Sequence, residues 1–115
     1  EIKVSYIDQN FMKSTNAVLE KNISNEDFGV NHLAEELAMS RKQLNRKLKA
    51  ILNQSANEII RNYRLEKAHQ MLEAKATSPT EASYEFGFSS PAYFSKCFSD
   101  RFGYPPSKLS VQGLS

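Results

Sequence analysis

The sequence predicts an all-α fold in which a two-helix unit occurs twice around one long helix, and three observations lead there. First, the chain repeats itself. Shifted by 50 residues, Ser40 falls on Ser90, Leu44 on Phe94, Leu48 on Phe98, Leu52 on Phe102, Asn53 on Gly103, Asn57 on Ser107 and Ile59 on Leu109. Just upstream the offset is 49, pairing Glu36 with Glu85, Leu37 with Phe86, Ala38 with Gly87 and Met39 with Phe88. Second, the apolar residues of each copy recur three and four apart, the period of one helix face. Third, the one-residue change of offset falls where two helical patterns meet, the place an insertion disturbs least. The expectation is two helix–turn–helix subdomains joined by a long linker helix.

Each element has its own warrant. Residues 1–7 alternate weakly and read as an extended lead-in. A first helix is expected after Asp8, with Phe11, Val18, Leu19 and Ile23 inward, ending near Asn22. Ser24-Asn25-Glu26-Asp27 is turn chemistry. Leu33, Ala34 and Leu37 mark a short helix from about Val30, and Ser40 caps the next, its hydroxyl suited to an orphan N–H of the first turn. There Leu44, Leu48 and Ile51 form the inward stripe, and Asn53 ends the helix because Asn tolerates the left-handed conformation. A long helix follows from about Ala56 to Ala74, with Ile60, Leu65, Ala68, Met71 and Leu72 inward, until Thr77-Ser78-Pro79 breaks it. Glu81 to Phe86 makes the second short helix, and Gly87 supplies a turn open to positive φ. Ser89-Ser90-Pro91 starts the last long helix, with Phe94, Cys97, Phe98 and Phe102 inward. Gly103 closes it, and Tyr104-Pro105-Pro106-Ser107 leads to a short terminal helix around Lys108 and Leu109. The expected division is a lead-in and first helix (1–27), the first helix–turn–helix (28–54), the linker helix (55–76), the second helix–turn–helix with its terminal helix (77–110) and a tail (111–115).

Composition narrows the class. With 115 residues, 40% hydrophobic and 24% charged, the chain is one domain or two small lobes sharing a helix. No apolar run approaches the roughly 20 residues that cross a bilayer, and the opening residues show no secretory signal pattern. Cys97 is alone, which excludes an internal disulfide and points to the reducing cytoplasm, whether or not a longer parent is membrane-anchored. The first residue, Glu1, points to a fragment or processed piece.

The net charge of +2 hides an uneven distribution. Residues 1–39 carry 3 Lys+Arg against 7 Asp+Glu, residues 40–75 carry 9 against 3, and residues 76–115 carry 3 against 3. The basic excess is centred on the helix that Ser40 caps, where Lys42, Arg46 and Lys49 lie opposite the leucine stripe and Asn45 flanks them, at about 100° per residue. That composition suits a major groove: Lys and Arg donate to guanine O6 and N7, Asn bridges adenine N6 and N7, and the positive charge attracts phosphates. The last long helix presents Ala92, Lys96 and Ser99, flanked by Tyr93 and Ser95, and is less polar. A solvated helical face fits a charge excess as well, so charge alone does not decide.

Other residues read more plainly. The phenylalanine stripe is core, Cys97 a small buried hydrophobe, and Glu35-Glu36 a solvated helix-favouring pair. His32 and His69 lack a second metal ligand at useful spacing and read as surface or helix-face residues. Arg64 is open between a DNA contact and a structural ion pair. With no phosphate loop and no nucleophile–base constellation, the expectation is no enzyme, no cofactor, no metal and no small-molecule ligand.

The run Gly87-Phe88-Ser89-Ser90-Pro91-Ala92-Tyr93-Phe94-Ser95-Lys96-Cys97-Phe98, continued by Phe102-Gly103-Tyr104-Pro105-Pro106-Ser107, resembles AraC-type transcription regulators. Leu33-Ala34, Met39-Ser40, Leu44, Arg46-Lys47-Leu48-Lys49, Arg64-Leu65, Ala68 and Leu72 extend the likeness over roughly residues 28–110. Ile7 through Ser24 is similar to the output domains of bacterial hybrid two-component regulators. The resemblance implies about seven helices and two recognition helices in successive major-groove segments, roughly 34 Å apart. By position it implies base reading by Lys42, Asn45 and Arg46 in the first copy and by Pro91, Ala92, Tyr93 and Lys96 in the second. Phosphate contacts fall to Ser40, Arg41, Lys49, Arg61, Ser90 and Ser95. Implied partners are double-stranded DNA, RNA polymerase and the parent's sensor and receiver domains. The sequence departs from the family pattern at Ala82-Ser83, where Ile-Ala is usual, at Pro79, and at Asn53, where Gly is usual. The small residues predict a looser second lobe, and the first lobe is expected to supply more affinity. The competing expectation is a helical protein-interaction module without sequence-specific DNA binding.

Overall fold

A computed structural model describes residues 6–109, all helices, turns and loops with no strand among them. The order is α1 (Tyr6–Asn22), α2 (Val30–Glu36), α3 (Arg41–Leu52), α4 (Ala56–Glu73), α5 (Pro79–Glu85), α6 (Pro91–Phe102) and a 3₁₀ turn, Pro106–Leu109. Residues 1–5 of the expected lead-in and the tail 111–115 lie outside the described residues. The lead-in reading is corrected at Tyr6 and Ile7, which already belong to α1. Both are largely exposed, so their apolar character reflects no buried strand.

The chain forms two compact units. The first takes residues up to Asn22 together with Phe28–Arg61. Here α2 packs against both α1 and α3. Its buried residues include Leu19, Phe28, Val30, Leu33, Ala34, Leu44, Leu48, Ala56 and Ile60. Thr15 is also fully buried, a polar residue tolerated because its hydroxyl donates to the Phe11 carbonyl at 2.8 Å.

The second unit takes Ile23–Asp27 with the chain from Asn62 onward. Its core joins Leu65, Ala68 and Leu72 of α4 to Ala82, Phe86, Phe88, Phe94, Cys97 and Phe98. Ala82 and Ser83 are wholly buried, and Ser83 donates its hydroxyl to the Thr80 carbonyl at 2.7 Å. Around these small residues the packing is aromatic: Phe94 stands edge-on to Phe98 with centroids 5.6 Å apart, and Phe88 lies 5.0 Å from Phe94. His69 is a helix-face residue rather than a surface one. It stacks on Phe98, and its Nε2 lies 2.8 Å from the Tyr104 hydroxyl.

Candidate nucleic-acid interface

The two recognition candidates, α3 and α6, each begin at a serine cap. Ser40 Oγ accepts from the Gln43 N–H at 3.0 Å, and Gln43 Oε1 in return accepts from the Ser40 N–H at 2.9 Å. Ser90 Oγ accepts from the Tyr93 N–H at 3.1 Å, with Pro91 in the first turn. A hydroxyl that accepts in this way keeps its own proton to donate, so capping and phosphate contact are compatible for Ser40 and Ser90. Each helix is stopped by a left-handed residue, Asn53 at φ 57 and Gly103 at φ 82, whose N–H donates to Lys49 and Ser99 carbonyls.

With Leu44 and Leu48 wholly buried, α3 turns Arg41, Lys42, Arg46 and Lys49 outward, all exposed. None of these four makes an ion pair among the described residues, although Lys49 lies in the field of Glu58. Lys47 is different. It faces α1, 3.5 Å from Asp8 and 5.2 Å from the Phe11 ring centroid, and adds nothing to the outward face.

Asn45 has a partner within the protein. Its Oδ1 accepts the backbone N–H of Ala56 at 2.8 Å, tying α3 to the first turn of α4. A bidentate adenine contact uses that same oxygen as an acceptor, so Asn45 would meet a base with the oxygen's second lone pair and its amide N–H groups. Beside it, Ser55 and Glu58 form a reciprocal cap at 3.2 and 2.8 Å. The Ser55 N–H holds the Glu58 carboxyl below its usual range, with Lys49 and Arg61 contributing attraction. Arg61, half-exposed, thus shares its field with an acid.

On α6 the exposed ridge is Ala92, Tyr93, Lys96 and Asp100, with Pro91, Ser90, Ser95 and Ser99 half-buried at its flanks. Both cations of this helix are engaged: Lys96 with Asp100 at 3.1 Å and Arg101 with Glu66 at 2.7 Å. The Tyr93 ring leans toward Phe88, centroids 6.0 Å apart, while 46% of the residue stays exposed.

Arg64, left open by the sequence, is structural. Its Nη2 donates to the Asn25 carbonyl at 2.7 Å and its Nη1 to the Gly87 carbonyl at 3.3 Å. Burial pulls its guanidinium below the usual value, against attraction from Glu26. Three residues that position the site went unremarked in sequence: Gln43, Ser55 and Glu58. The signals were present as S-x-x-Q at Ser40–Gln43 and S-x-x-E at Ser55–Glu58, both capping-box spacings. Among the described residues, no three metal-ligating side chains come together, and no helix is long and apolar enough to cross a membrane.

Comparison with known proteins agrees with this geometry. Over 108 residues the chain is 42% identical to the protein named histidine kinase P4 of Formosa agariphila, matching 94% of this chain. It is 36% identical over 76 residues, 66% of this chain, to the HTH-type transcriptional regulator CdhR of Pseudomonas aeruginosa. The chain spans only 8% and 23% of the length of these two relatives. Among solved structures, a transcriptional regulator of Chromobacterium violaceum with an AraC-type DNA-binding domain superposes with a TM-score of 0.80 at 27% identity, covering 90% of this chain and 92% of that one. Residues 33–111 match the helix-turn-helix domain family. The chain belongs to that family and is of its AraC type.

Proposed function

We infer that this chain binds double-stranded DNA in a sequence-specific way, as the output module of a transcription regulator, with α3 and α6 entering successive major-groove segments. The observation that carries the reading is the outward face of α3, where Arg41, Lys42, Arg46 and Lys49 are exposed and unpaired. Four cations at helical spacing have an obvious counterpart in a phosphate-lined groove, and Arg46 has the fork that grips guanine O6 and N7. In this reading Lys42 and Arg46 read bases, and Asn45 donates to one. Arg41, Lys49, Arg61 and the cap hydroxyls of Ser40 and Ser90 position the backbone. On α6, Pro91, Ala92 and Tyr93 offer apolar contact to a thymine methyl, while Lys96 and Ser95 contribute polar contacts.

The module acts in the cytoplasm and carries no catalysis of its own. The likeness to a protein named a histidine kinase supports a parent chain in which sensor and receiver domains control this piece, and RNA polymerase is the expected partner once DNA is bound. The test is selection of bound sites from random duplexes, followed by footprinting of Arg46→Ala on the selected site. Loss of about 1–3 kcal/mol with relaxed preference at one base position is expected. Unchanged specificity in that variant would remove Arg46 from base reading, and a wild-type chain that selects no site would defeat the reading as a whole.

A further inference from the structure

The internal repeat supplies its own control for the second head. At the offset of 50, Arg46 corresponds to Lys96 and Ala50 to Asp100. One turn beyond its basic reader, the first head therefore has a methyl group and the second has a carboxylate. Asp100 Oδ2 accepts from Lys96 Nζ at 3.1 Å, with the side chains 69% and 74% exposed. The neighbouring cation cannot substitute, because Arg101 is taken by Glu66 at 2.7 Å.

This pair is poorly explained as a device for helix stability. Asp100 lies in the last turn of α6, which ends at Phe102, where the negative end of the helix dipole opposes an acid. The order is also the weaker one for an i,i+4 pair, with the base N-terminal to the acid. What the carboxylate does accomplish is electrostatic. Four residues of helix span about 6 Å, within the ~8 Å over which charges interact at physiological salt. Any phosphate that Lys96 approaches therefore also meets Asp100.

We propose that Asp100 is a specificity-determining residue of the second head: it holds Lys96 back from phosphates and repels the DNA backbone, so that α6 grips DNA only where base contacts release the lysine. The inference rests on the DNA-binding reading above and deepens it. Non-specific binding is almost wholly a phosphate term, so it is the mode that Asp100 suppresses most.

The test compares wild type, Asp100→Ala, Lys96→Ala and the double variant on two probes, a duplex selected by the wild-type chain and a scrambled duplex of the same length. Asp100→Ala should tighten the scrambled duplex about two- to five-fold, the scale of an exposed pair, and steepen its salt slope by about 0.9 as one more phosphate is engaged. The selected duplex should gain less, and Lys96→Ala should weaken scrambled binding more in the Asp100→Ala background than alone. Thermal melting of Asp100→Ala should be unchanged or higher, where a structural role would lower it. The reciprocal Ala50→Asp should weaken scrambled binding through Arg46. Unchanged scrambled affinity and slope in Asp100→Ala, or a selected duplex that gains as much or more, overturns the inference. An Arg46→Ala arm separates the two failures: if wild type discriminates the duplexes and Arg46→Ala does not, base reading stands and only the role of Asp100 falls. A wild type that never discriminates removes both.

Discussion

In the first helix–turn–helix, the N–H groups of Leu37, Ala38 and Met39 donate to the carbonyls of Leu33, Glu35 and Ala34. In the second, 49 positions on, Phe86, Gly87 and Phe88 donate to Ala82, Tyr84 and Ser83. Both turns follow the Schellman pattern, with a left-handed residue at the same place: Ala38 at φ 57 and Gly87 at φ 85. The backbone frame is thus repeated bond for bond while the side chains on it diverge. A Cβ at Gly87 would lie 2.8 Å from Arg64 Cζ, whereas Ala38 is exposed and its methyl is tolerated. What a turn demands of its sequence therefore depends on what crowds it as much as on its dihedral angles. The outward faces diverge in the same way, four unpaired cations on α3 against two paired ones on α6.

The sharpest way to break this comparison is at the turns. Gly87→Ala should cost about 2–4 kcal/mol, combining left-handed strain with the clash against Arg64, measured by urea denaturation. A loss of about 1 kcal/mol, the lower end of the strain alone, would mean that Arg64 moves aside freely. Next in size is binding: Arg46→Ala should lose about 1–3 kcal/mol on a selected duplex, while Lys96→Ala, already engaged by Asp100, should lose under ~1 kcal/mol. Equal losses would erase the difference between the heads. Ala38→Gly should stabilise by about 1 kcal/mol through relief of the left-handed strain, and a destabilised variant would show that Ala38 is held by contacts rather than tolerated.

The smallest effect concerns acid. Glu58 is held below its usual range in the folded chain, so its cap contributes stability above the unfolded value of 4.5 and loses it as pH falls through the folded value. Glu58→Gln should flatten that part of the pH–stability profile, and a profile identical to wild type would exclude the carboxylate as its source.

Local punctuation was legible in the residues. Ser40, Ser90, Asn53, Gly87 and Gly103 act through their own backbone or that of near neighbours, so residue type and spacing are enough to place them. The inward stripes of Leu44/Leu48 and Phe94/Phe98 follow from helical period alone. What the sequence hid depends on contacts between distant elements. Asn45 meets an N–H eleven residues away, Lys47 meets Asp8 on another helix, and Arg64 reaches carbonyls at Asn25 and Gly87. Each has the composition of a DNA contact, and only tertiary placement turns Lys47 and Arg64 to partners within the protein and engages one lone pair of the Asn45 oxygen. Small residues at Ala82 and Ser83 likewise say nothing of the phenylalanines packed around them.

Site selection from random duplexes, read separately for the two half-sites, measures the difference between the heads directly. The predicted result is a strong half-site that disappears in Arg46→Ala, accompanied by a weaker, apolar-leaning half-site about one helical turn away, roughly 34 Å. A second half-site as strong as the first, or a dominant site indifferent to Arg46→Ala, would contradict it.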